Sequence, residues 1–356
     1  MLPLVLKPPF SPMPPPRSPY EEDAVRFCEG WLRGQTTFEL RTSGSTGTPK
    51  PILLTRSQMI ASARLTGQTF GIRPGDHALV CLNVSYVAGV MMLVRGLELG
   101  LKLTVVEPTA NPLTQCKPGD DGFDFAAFVP LQMQILLESP DESLPQLNRM
   151  KAILVGGASV DPALEKSIQA IGSPVYSTYG MTETVSHVAI RRLNGPDASD
   201  VYTALDGVAL NVDSRSCLNI RAAATDFVTI QTNDVVELLD ANRFRLLGRA
   251  DSIINTGGVK VQPETVEKAV GEWLAERRLS VRQFVAGLPE ARLGQQVTLF
   301  IEDRPWPEAT TESLKNFLRS QLSAFACPRE IIFVSQFRQT PTGKIDRRAT
   351  IEQLTA

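Results

Sequence analysis

The sequence has no apolar run that approaches the length of a membrane span, and its first residues lack the basic and long apolar segments of a secretory signal. Its formal net charge is only −2, with acidic and basic residues interspersed. This balance gives no support for a nucleic acid or an anionic membrane as a partner. We therefore expect a soluble, cytoplasmic protein that binds any anionic ligand through local groups.

Cysteine is sparse: the chain has five, an odd number, scattered and without a C-x-x-C pair. This pattern argues against a disulfide framework or a zinc site and favours isolated, mostly buried thiols. Proline, by contrast, is concentrated in residues 1–20. That composition predicts an extended arm at the N-terminus rather than a packed element.

Short apolar runs and helical patterns alternate through the first half of the chain. Strands are predicted at residues 38–41, 78–84, 103–106, 126–130, 152–155 and 174–177. Helices are predicted at residues 21–33, 57–70, 90–99 and 161–171. Because parallel strands need long crossover connections, usually helices, the alternation predicts an α/β core with parallel strands.

Single residues mark the predicted helix ends and faces. Ser57 and Asp161 are the predicted N-caps of their helices, and Gly100 is a stop signal. The residues predicted to face inward from the first helix are Val25, Trp31 and Leu32.

From about residue 205 the segments become short, polar and β-rich, and amphipathic helices follow at residues 263–279 and 313–322. We predict an α/β fold with two domains. A large N-terminal α/β domain with mixed or parallel sheets spans residues 1–250, and a small α+β domain spans residues 251–356.

Residues 42–50 form a dense run of hydroxyl and glycine residues that ends in a lysine. Hydroxyls, close backbone amides and a lysine can hold phosphates, whereas a flexible surface loop is the plainer alternative. The run is not a P-loop, which needs four residues between its glycines and a hydroxyl residue directly after the lysine. The candidate phosphate ligands are Thr42, Ser43, Gly44, Ser45, Thr46, Gly47 and Lys50.

Three more segments follow in order: Y-G-M-T-E-T at 179–184, G-R-A-D at 248–251 with G-G and P-E-x-x-E after it, and P-T-G-K-I-D at 341–346. Together with residues 42–50 they resemble the adenylate-forming superfamily of acyl-CoA synthetases, peptide-synthetase adenylation domains and beetle luciferases. The resemblance covers most of the chain and implies an ATP-dependent, AMP-forming acid–thiol ligase with a mobile C-terminal domain.

The resemblance also implies roles in joining a carboxylate to the α-phosphate of ATP. Lys344 would bridge the two reacting groups, Thr182 would donate to the α-phosphate, and Glu183 would bind Mg²⁺. Asp234 would accept from the ribose hydroxyls with support from Arg249. The other nucleotide-binding residues that it implies are Gly157, Ala158, Tyr179 and Gly180.

Each of these residues has a plainer interpretation when taken alone. Glu183 and Asp234 could be solvated surface carboxylates, and Lys344 could be an exposed loop lysine. The Gly156–Gly157 pair could be a tight turn between a strand and a helix. Their occurrence together, in the order of the superfamily, is what favours the functional interpretation.

In the second half-reaction a thiol attacks the acyl-adenylate. The resemblance implies that the C-terminal domain turns about a hinge at Asp251, although this aspartate could also simply form a turn. No carrier segment for phosphopantetheine is visible, so free CoA is the expected thiol. The expected ligands are therefore ATP, Mg²⁺, CoA and a small carboxylic acid, and a homodimer is compatible with them.

For the acid, residues 86–95 and 182–186 are similar to those of the o-succinylbenzoate–CoA ligases of menaquinone biosynthesis, and the chain would be a short form. That acid carries a second, aromatic carboxylate that needs a cation in the pocket. Arg95 on an otherwise apolar helix is the candidate, with Ser186 as a weaker one; the alternative is an arginine at the helix surface. His187 is interpreted as a polar loop residue in preference to a pocket residue.

Three departures from the superfamily pattern concern the identity of the acid more than the adenylation chemistry. Only about forty residues precede the hydroxyl-rich run, so the usual N-terminal subdomain is expected to be truncated. Tyr86 and Asn233 replace the histidine and glycine of many relatives. Another aryl- or fatty-acid–CoA ligase, or a non-catalytic nucleotide-binding relative, therefore stays open as an alternative.

Overall fold

The structure is a computed structural model that describes residues 3–41, 51–116, 122–340 and 344–355. Its strands are β1 Leu4–Leu6, β2 Thr37–Arg41, β3 Pro51–Thr55, β4 His77–Val80, β5 Lys102–Val105, β6 Phe125–Phe128, β7 Ala152–Val155, β8 Val175–Gly180, β9 His187–Arg192, β10 Val201–Ala204, β11 Ala209–Val212, β12 Cys217–Arg221, β13 Ile230–Leu238, β14 Arg243–Arg249, β15 Ile254–Thr256, β16 Val259–Val261, β17 Gln283–Glu290, β18 Gly294–Glu302 and β19 Glu330–Val334.

The α-helices among these residues are α1 Pro19–Leu32, α2 Arg56–Phe70, α3 Val87–Leu99, α4 Pro130–Glu138, α5 Pro140–Leu147, α6 Pro162–Ile168, α7 Pro263–Glu276, α8 Glu308–Gln321 and α9 Arg347–Thr355. None of the helices in this part of the chain is long and apolar enough to cross a membrane.

A mixed sheet of twelve strands dominates the fold, in the order β1-β5-β4-β6-β7-β8-β9-β10-β14-β13-β12-β11. Strands β4 to β8 are mutually parallel, and strands β9 to β14 of this sheet pair antiparallel. The parallel strands are largely buried because apolar residues of the covering helices pack against both faces of that part of the sheet. The predicted α/β fold class is confirmed.

A second sheet of five strands follows. Its strand β18 pairs antiparallel with β17 and parallel with β19, and helices α7 and α8 pack against it around Trp273 and Leu314. The chain leaves the first sheet at Arg249 and enters the second at Ile254. The boundary between residues 250 and 251 stays a prediction.

Two predicted helix ends are as expected. Asp161 caps α6 by accepting from the amide of Leu164 at 2.8 Å, and Gly100 ends α3 with φ 67°. The predicted N-cap of α2 at Ser57 is wrong, because the helix begins one residue earlier, at Arg56. Thr55 caps it, in a reciprocal pair with Gln58 that serves two free amides.

The predicted N-terminal arm is also wrong, because Leu4–Leu6 pairs antiparallel with β5 and covers an edge of the large sheet. Leu4 and Leu6 are buried by that pairing. Of the residues predicted to face inward from α1, Val25 and Trp31 are buried, but Leu32, in the last position of the helix, is exposed. All five cysteines are free and four of them are buried, as predicted.

Candidate active site

The candidate site begins where the parallel strands end. Strands β7 and β8 are neighbours, and their carboxyl ends lead into the Gly156–Gly157 turn and into Gly180. Ligands of open α/β sheets bind outside these ends of the strands. Gly157 has φ 85°, which favours glycine, and a side chain on Gly156 would collide with Thr178. The exposed residues 157 and 158 therefore offer backbone to a ligand.

Tyr179 of β8, Asp234 of β13 and Arg249 of β14 are joined by hydrogen bonds between their side chains. The Tyr179 hydroxyl donates to Oδ2 of Asp234 at 2.7 Å, and Nη1 of Arg249 donates to Oδ1 at 3.1 Å. Asp234 is 8% exposed. Burial, followed by the Asp234 charge, raises the pKa of Tyr179, which therefore stays a donor. Asp234 is thus a buried, oriented acceptor, as a ribose contact requires.

The ring of Tyr179 packs edge-on against Tyr202 and Phe244, with centroids 5.8 and 5.1 Å away. Only 7% of the residue is exposed. Little of the ring is therefore left to line an adenine, and that role of Tyr179 stays a prediction.

Asp251 also binds Arg249, the arginine that contacts Asp234. Nε and Nη2 of Arg249 donate to its two carboxylate oxygens at 2.9 and 2.8 Å. These hydrogen bonds lower the pKa of Asp251, and they are the largest cause that raises the pKa of Arg249. The predicted hinge residue is therefore tied directly to the cluster around Asp234.

Thr182 and Glu183 lie in the 3-10 helix Thr182–Thr184, which closely follows Gly180. Thr182 is buried and Glu183 is exposed. Glu183 forms no ion pair with the described residues, and those residues contain no group of three or more metal-binding side chains. A single free carboxylate suits Mg²⁺, which takes one or two carboxylates together with phosphate and water oxygens.

A strained turn follows this short helix. Val185 has φ 66° and ψ −49°, and the amide of Ser186 donates to the carbonyl of Thr184 at 2.8 Å, which makes a γ-turn. A positive φ is unusual for a β-branched residue, so the turn is held by its surroundings. The Val185 side chain is fully buried in the same apolar cluster as Met91 of α3. The turn carries the chain from the residues predicted to bind phosphate and metal to those predicted to bind the acid.

Arg95 lies beyond that turn and is buried, with 2% of its surface exposed. Its Nη2 donates to Ser186 Oγ at 2.7 Å and its Nε to Thr66 Oγ1 at 3.1 Å. No carboxylate in the described ranges pairs with it, and desolvation lowers its pKa to about 10. Arg95 is therefore a buried cation held by two neutral hydroxyls, and it is not the surface arginine of the alternative interpretation.

The interpretation of His187 as a polar loop residue is wrong. It is the first residue of β9 and is buried, 7% exposed, against Thr66 and Ser186. Burial and the nearby Arg95 charge lower its pKa well below the usual value. It is therefore a neutral member of the cluster around Arg95.

Lys344 is half-buried, and its burial lowers the pKa of its amine. Its backbone amide donates to the Thr340 side chain at 3.2 Å, and Gln339 bridges to Ile345 across the loop. Of the other predicted site residues, Thr42, Ser43, Gly44, Ser45, Thr46, Gly47 and Lys50 lie outside the described residues.

The chain matches two family models. That of the AMP-binding enzyme family matches residues 37–213, and that of the AMP-binding enzyme C-terminal domain matches residues 280–344. A protein of Mycobacterium tuberculosis named probable 2-succinylbenzoate–CoA ligase is 30% identical over 337 residues, which cover 88% of this chain and 83% of that protein.

The chain belongs to the AMP-binding enzyme family.

This AMP-binding enzyme is also similar to solved structures. One, from Dyadobacter fermentans, is described as an acyl-CoA synthetase (AMP-forming)/AMP-acid ligase II-like protein; it is 46% identical, with a TM-score of 0.66 and coverage of 98% of this chain and 99% of that one. Another is o-succinylbenzoate–CoA synthetase of Bacillus subtilis with ATP and magnesium, at 19% identity, a TM-score of 0.69 and coverage of 88% and 69%. The second shows the fold alone. The chain is an adenylate-forming, AMP-forming acyl-CoA synthetase.

Three residues of the candidate site are not predicted from the sequence, and two of them, Thr66 and Val185, carry no sufficient signal. Thr66 is one hydroxyl in an amphipathic helix, and Val185 is an apolar residue in a segment without turn residues. His187 stands next to a recognised motif, which is a usable signal. Their importance depends on contacts between α2, α3 and β9, which the local sequence does not reveal.

Proposed function

We propose that this enzyme activates 2-succinylbenzoate with ATP and transfers the acyl group to CoA, as a step of menaquinone biosynthesis. The observation that carries the proposal is Arg95, a buried guanidinium whose partners in the described ranges are neutral. A buried charge without a counter-ion is costly, and a ligand carboxylate would supply the missing charge. 2-Succinylbenzoate has one carboxylate to react and a second, aromatic one to occupy such a site.

We expect the reacting carboxylate to lie at the other end of the site, near Thr182. We expect Thr182 to donate to the α-phosphate and Lys344 to bridge it to the carboxylate as charge develops. Glu183 would hold Mg²⁺, which neutralises charge on the phosphates when bound. Asp234 and Arg249 would bind the ribose. Of these residues, Asp234 is supported best, because its hydrogen bonds already fix its carboxylate.

CoA is proposed as the second substrate, and Asp251 as the hinge about which the C-terminal domain turns. The bidentate contact between Arg249 and Asp251 supports this, because a rotation at residue 251 would change the surroundings of the ribose cluster. Free CoA is the expected thiol because the relative from Mycobacterium tuberculosis is named as a CoA ligase.

A second candidate is a CoA ligase for a different aryl or fatty acid. The similarity to the Dyadobacter fermentans protein supports this second candidate, because that protein is 46% identical and its description names no acid. The M. tuberculosis protein named for 2-succinylbenzoate is only 30% identical. Such a ligase would not need the cation at Arg95.

The deciding experiment measures pyrophosphate release and CoA-thioester formation with a panel of acids. The panel includes 2-succinylbenzoate, its analogue 4-oxo-4-phenylbutanoate, which lacks the ring carboxylate, benzoate and medium-chain fatty acids. We expect 2-succinylbenzoate to have the highest kcat/KM. A clear preference for any monocarboxylic acid would establish the second candidate instead.

A further inference from the structure

Four side chains, those of Arg95, Thr66, Ser186 and His187, form a closed ring of polar contacts. Arg95 donates to Thr66 and to Ser186, as described above. His187 completes the ring, with Nε2 3.4 Å from Thr66 Oγ1 and Nδ1 3.4 Å from Ser186 Oγ. The two histidine contacts are long, but together they connect both hydroxyls that hold the arginine.

The direction of each hydrogen bond follows from the number of protons available. The Thr66 hydroxyl has one proton, and it donates that proton to the carbonyl of Ser62, one turn earlier in α2, at 3.0 Å. Towards Arg95 and His187 the same oxygen can only accept. Nε2 of His187 must therefore carry a proton and act as the donor.

The other side of the ring runs the opposite way. Ser186 Oγ accepts from Arg95 at 2.7 Å, which leaves the Ser186 proton to point towards Nδ1 of His187. A neutral imidazole protonated at Nε2 has its acceptor at Nδ1. Thr66 therefore offers a lone pair to the guanidinium because the Ser62 carbonyl takes its proton, and Ser186 does so because Nδ1 of His187 takes its proton.

We propose that His187 is a positioning residue of the acid pocket, whose Nε2-protonated tautomer donates to Thr66 and keeps Ser186 as an acceptor, and so fixes the Arg95 guanidinium for the second carboxylate of the acid. The identity of that acid rests on the proposed function, but the hydrogen-bond ring does not. His187 should therefore matter for recognition of the second carboxylate and not for the chemistry at the first.

The tautomer can be measured directly, because the chain has only two histidines. His77 is an internal reference: its Nδ1 lies 2.9 Å from the carbonyl of Gly122, which can only accept, so this nitrogen is protonated. In long-range ¹H–¹⁵N spectra of the ¹⁵N-histidine-labelled full chain at neutral pH, we expect a neutral, Nε2-protonated His187, assigned by its loss in His187→Gln. A Nδ1-protonated or doubly protonated His187 would overturn the ring.

The role in recognition is tested with two matched acids, the dicarboxylic 2-succinylbenzoate and the monocarboxylic 4-oxo-4-phenylbutanoate. We expect His187→Leu to raise KM about tenfold more for the dicarboxylic acid than for the monocarboxylic one, since one hydrogen bond to a charged group is weakened. His187→Gln should recover most of this difference because its side-chain amide can donate to Thr66 and accept from Ser186. A purely structural role would instead change both KM values and kcat together, and that result would contradict the proposal.

If His187→Leu does not fold, Thr66→Val removes the acceptor of Arg95 Nε at similar volume and should cause the same selective rise in KM. A wild-type enzyme that does not distinguish the two acids would contradict the proposed function. A wild-type enzyme that distinguishes them, with a Leu variant that does so equally well, would contradict only the role of His187.

Discussion

The hydroxyl of Tyr179 donates a hydrogen bond of 2.7 Å to Oδ2 of Asp234, a residue 55 positions later in the chain. The bond joins the parallel half of the large sheet to its antiparallel half. Since Arg249 binds the other carboxylate oxygen, the orientation of Asp234 is fixed before any nucleotide arrives.

We expect Tyr179→Phe to raise the KM for ATP about tenfold, because a hydrogen bond to a charged group contributes about 1.5–3 kcal/mol. Asp234→Asn should raise it further, since it also removes the charge opposite Arg249. ATP titration calorimetry and pyrophosphate-release kinetics would measure both effects. An unchanged KM in the two variants would remove Asp234 from the nucleotide site.

Gly180 leaves no space for a side chain. A Cβ there would lie 2.7 Å from Cα of His187 and closer still to the carbonyl of Ser186. We therefore expect Gly180→Ala to destabilise the protein by about 1–3 kcal/mol and to lower adenylation. Gly172→Ala is the matched control, because its nearest neighbour, the Asn148 side chain, is 3.6 Å away. Urea unfolding of both variants would check this, and equal stabilities would contradict it.

Asp251 and Arg249 are both about half exposed, so their ion pair should add little to stability, about 0–1 kcal/mol. Asp251→Asn should therefore unfold at nearly the wild-type urea concentration. We expect the variant to slow CoA-thioester formation more than acyl-adenylate formation, because in the proposed mechanism only the second step needs the domain to turn. Separate single-turnover assays would compare the steps, and an equal loss in both would argue against a hinge.

Burial lowers the pKa of Lys344 from its ordinary value of 10.5. If the protonated amine of Lys344 bridges the reacting groups, the rate of adenylation should fall as the pH rises through this lowered pKa. Below that pKa the amine stays protonated, and the enzyme should keep its activity. Lys344→Arg should move the alkaline limb upward, because arginine keeps its charge. Lys344→Ala should abolish adenylation and largely spare CoA transfer from preformed adenylate. If the alkaline limb of the pH–rate profile does not move in the Lys344→Arg variant, that limb reports the titration of another group.

Much of the fold could be predicted because its signals are local. The apolar runs of β4 to β8 and the cap at Asp161 are legible within a few residues of sequence. The strand at Leu4–Leu6 could not be predicted because it depends on pairing with β5, about a hundred residues later. A proline-rich composition alone does not reveal such a partner.

The same distinction applies to the site. Arg95 could be proposed from one charge on an apolar helix, but its contacts with Thr66 and Ser186 span 29 and 91 positions in sequence. The sequence misplaces His187 in a loop because the γ-turn at Val185, which sends it inward, has no local sequence signature. Predicting that strained turn requires the packing of α3 around it.

The most direct measurement of the central claim compares wild type with Arg95→Met, an unbranched apolar replacement. Selectivity is the kcat/KM for the dicarboxylic 2-succinylbenzoate divided by that for the monocarboxylic 4-oxo-4-phenylbutanoate. We expect this selectivity to fall about 100-fold in the variant, the order expected for loss of one partner from a buried charge pair. Without ligand, the variant should unfold at an equal or higher urea concentration, because a buried cation without a counter-ion is removed. A selectivity that is the same in both proteins would contradict the assignment of Arg95 to the second carboxylate.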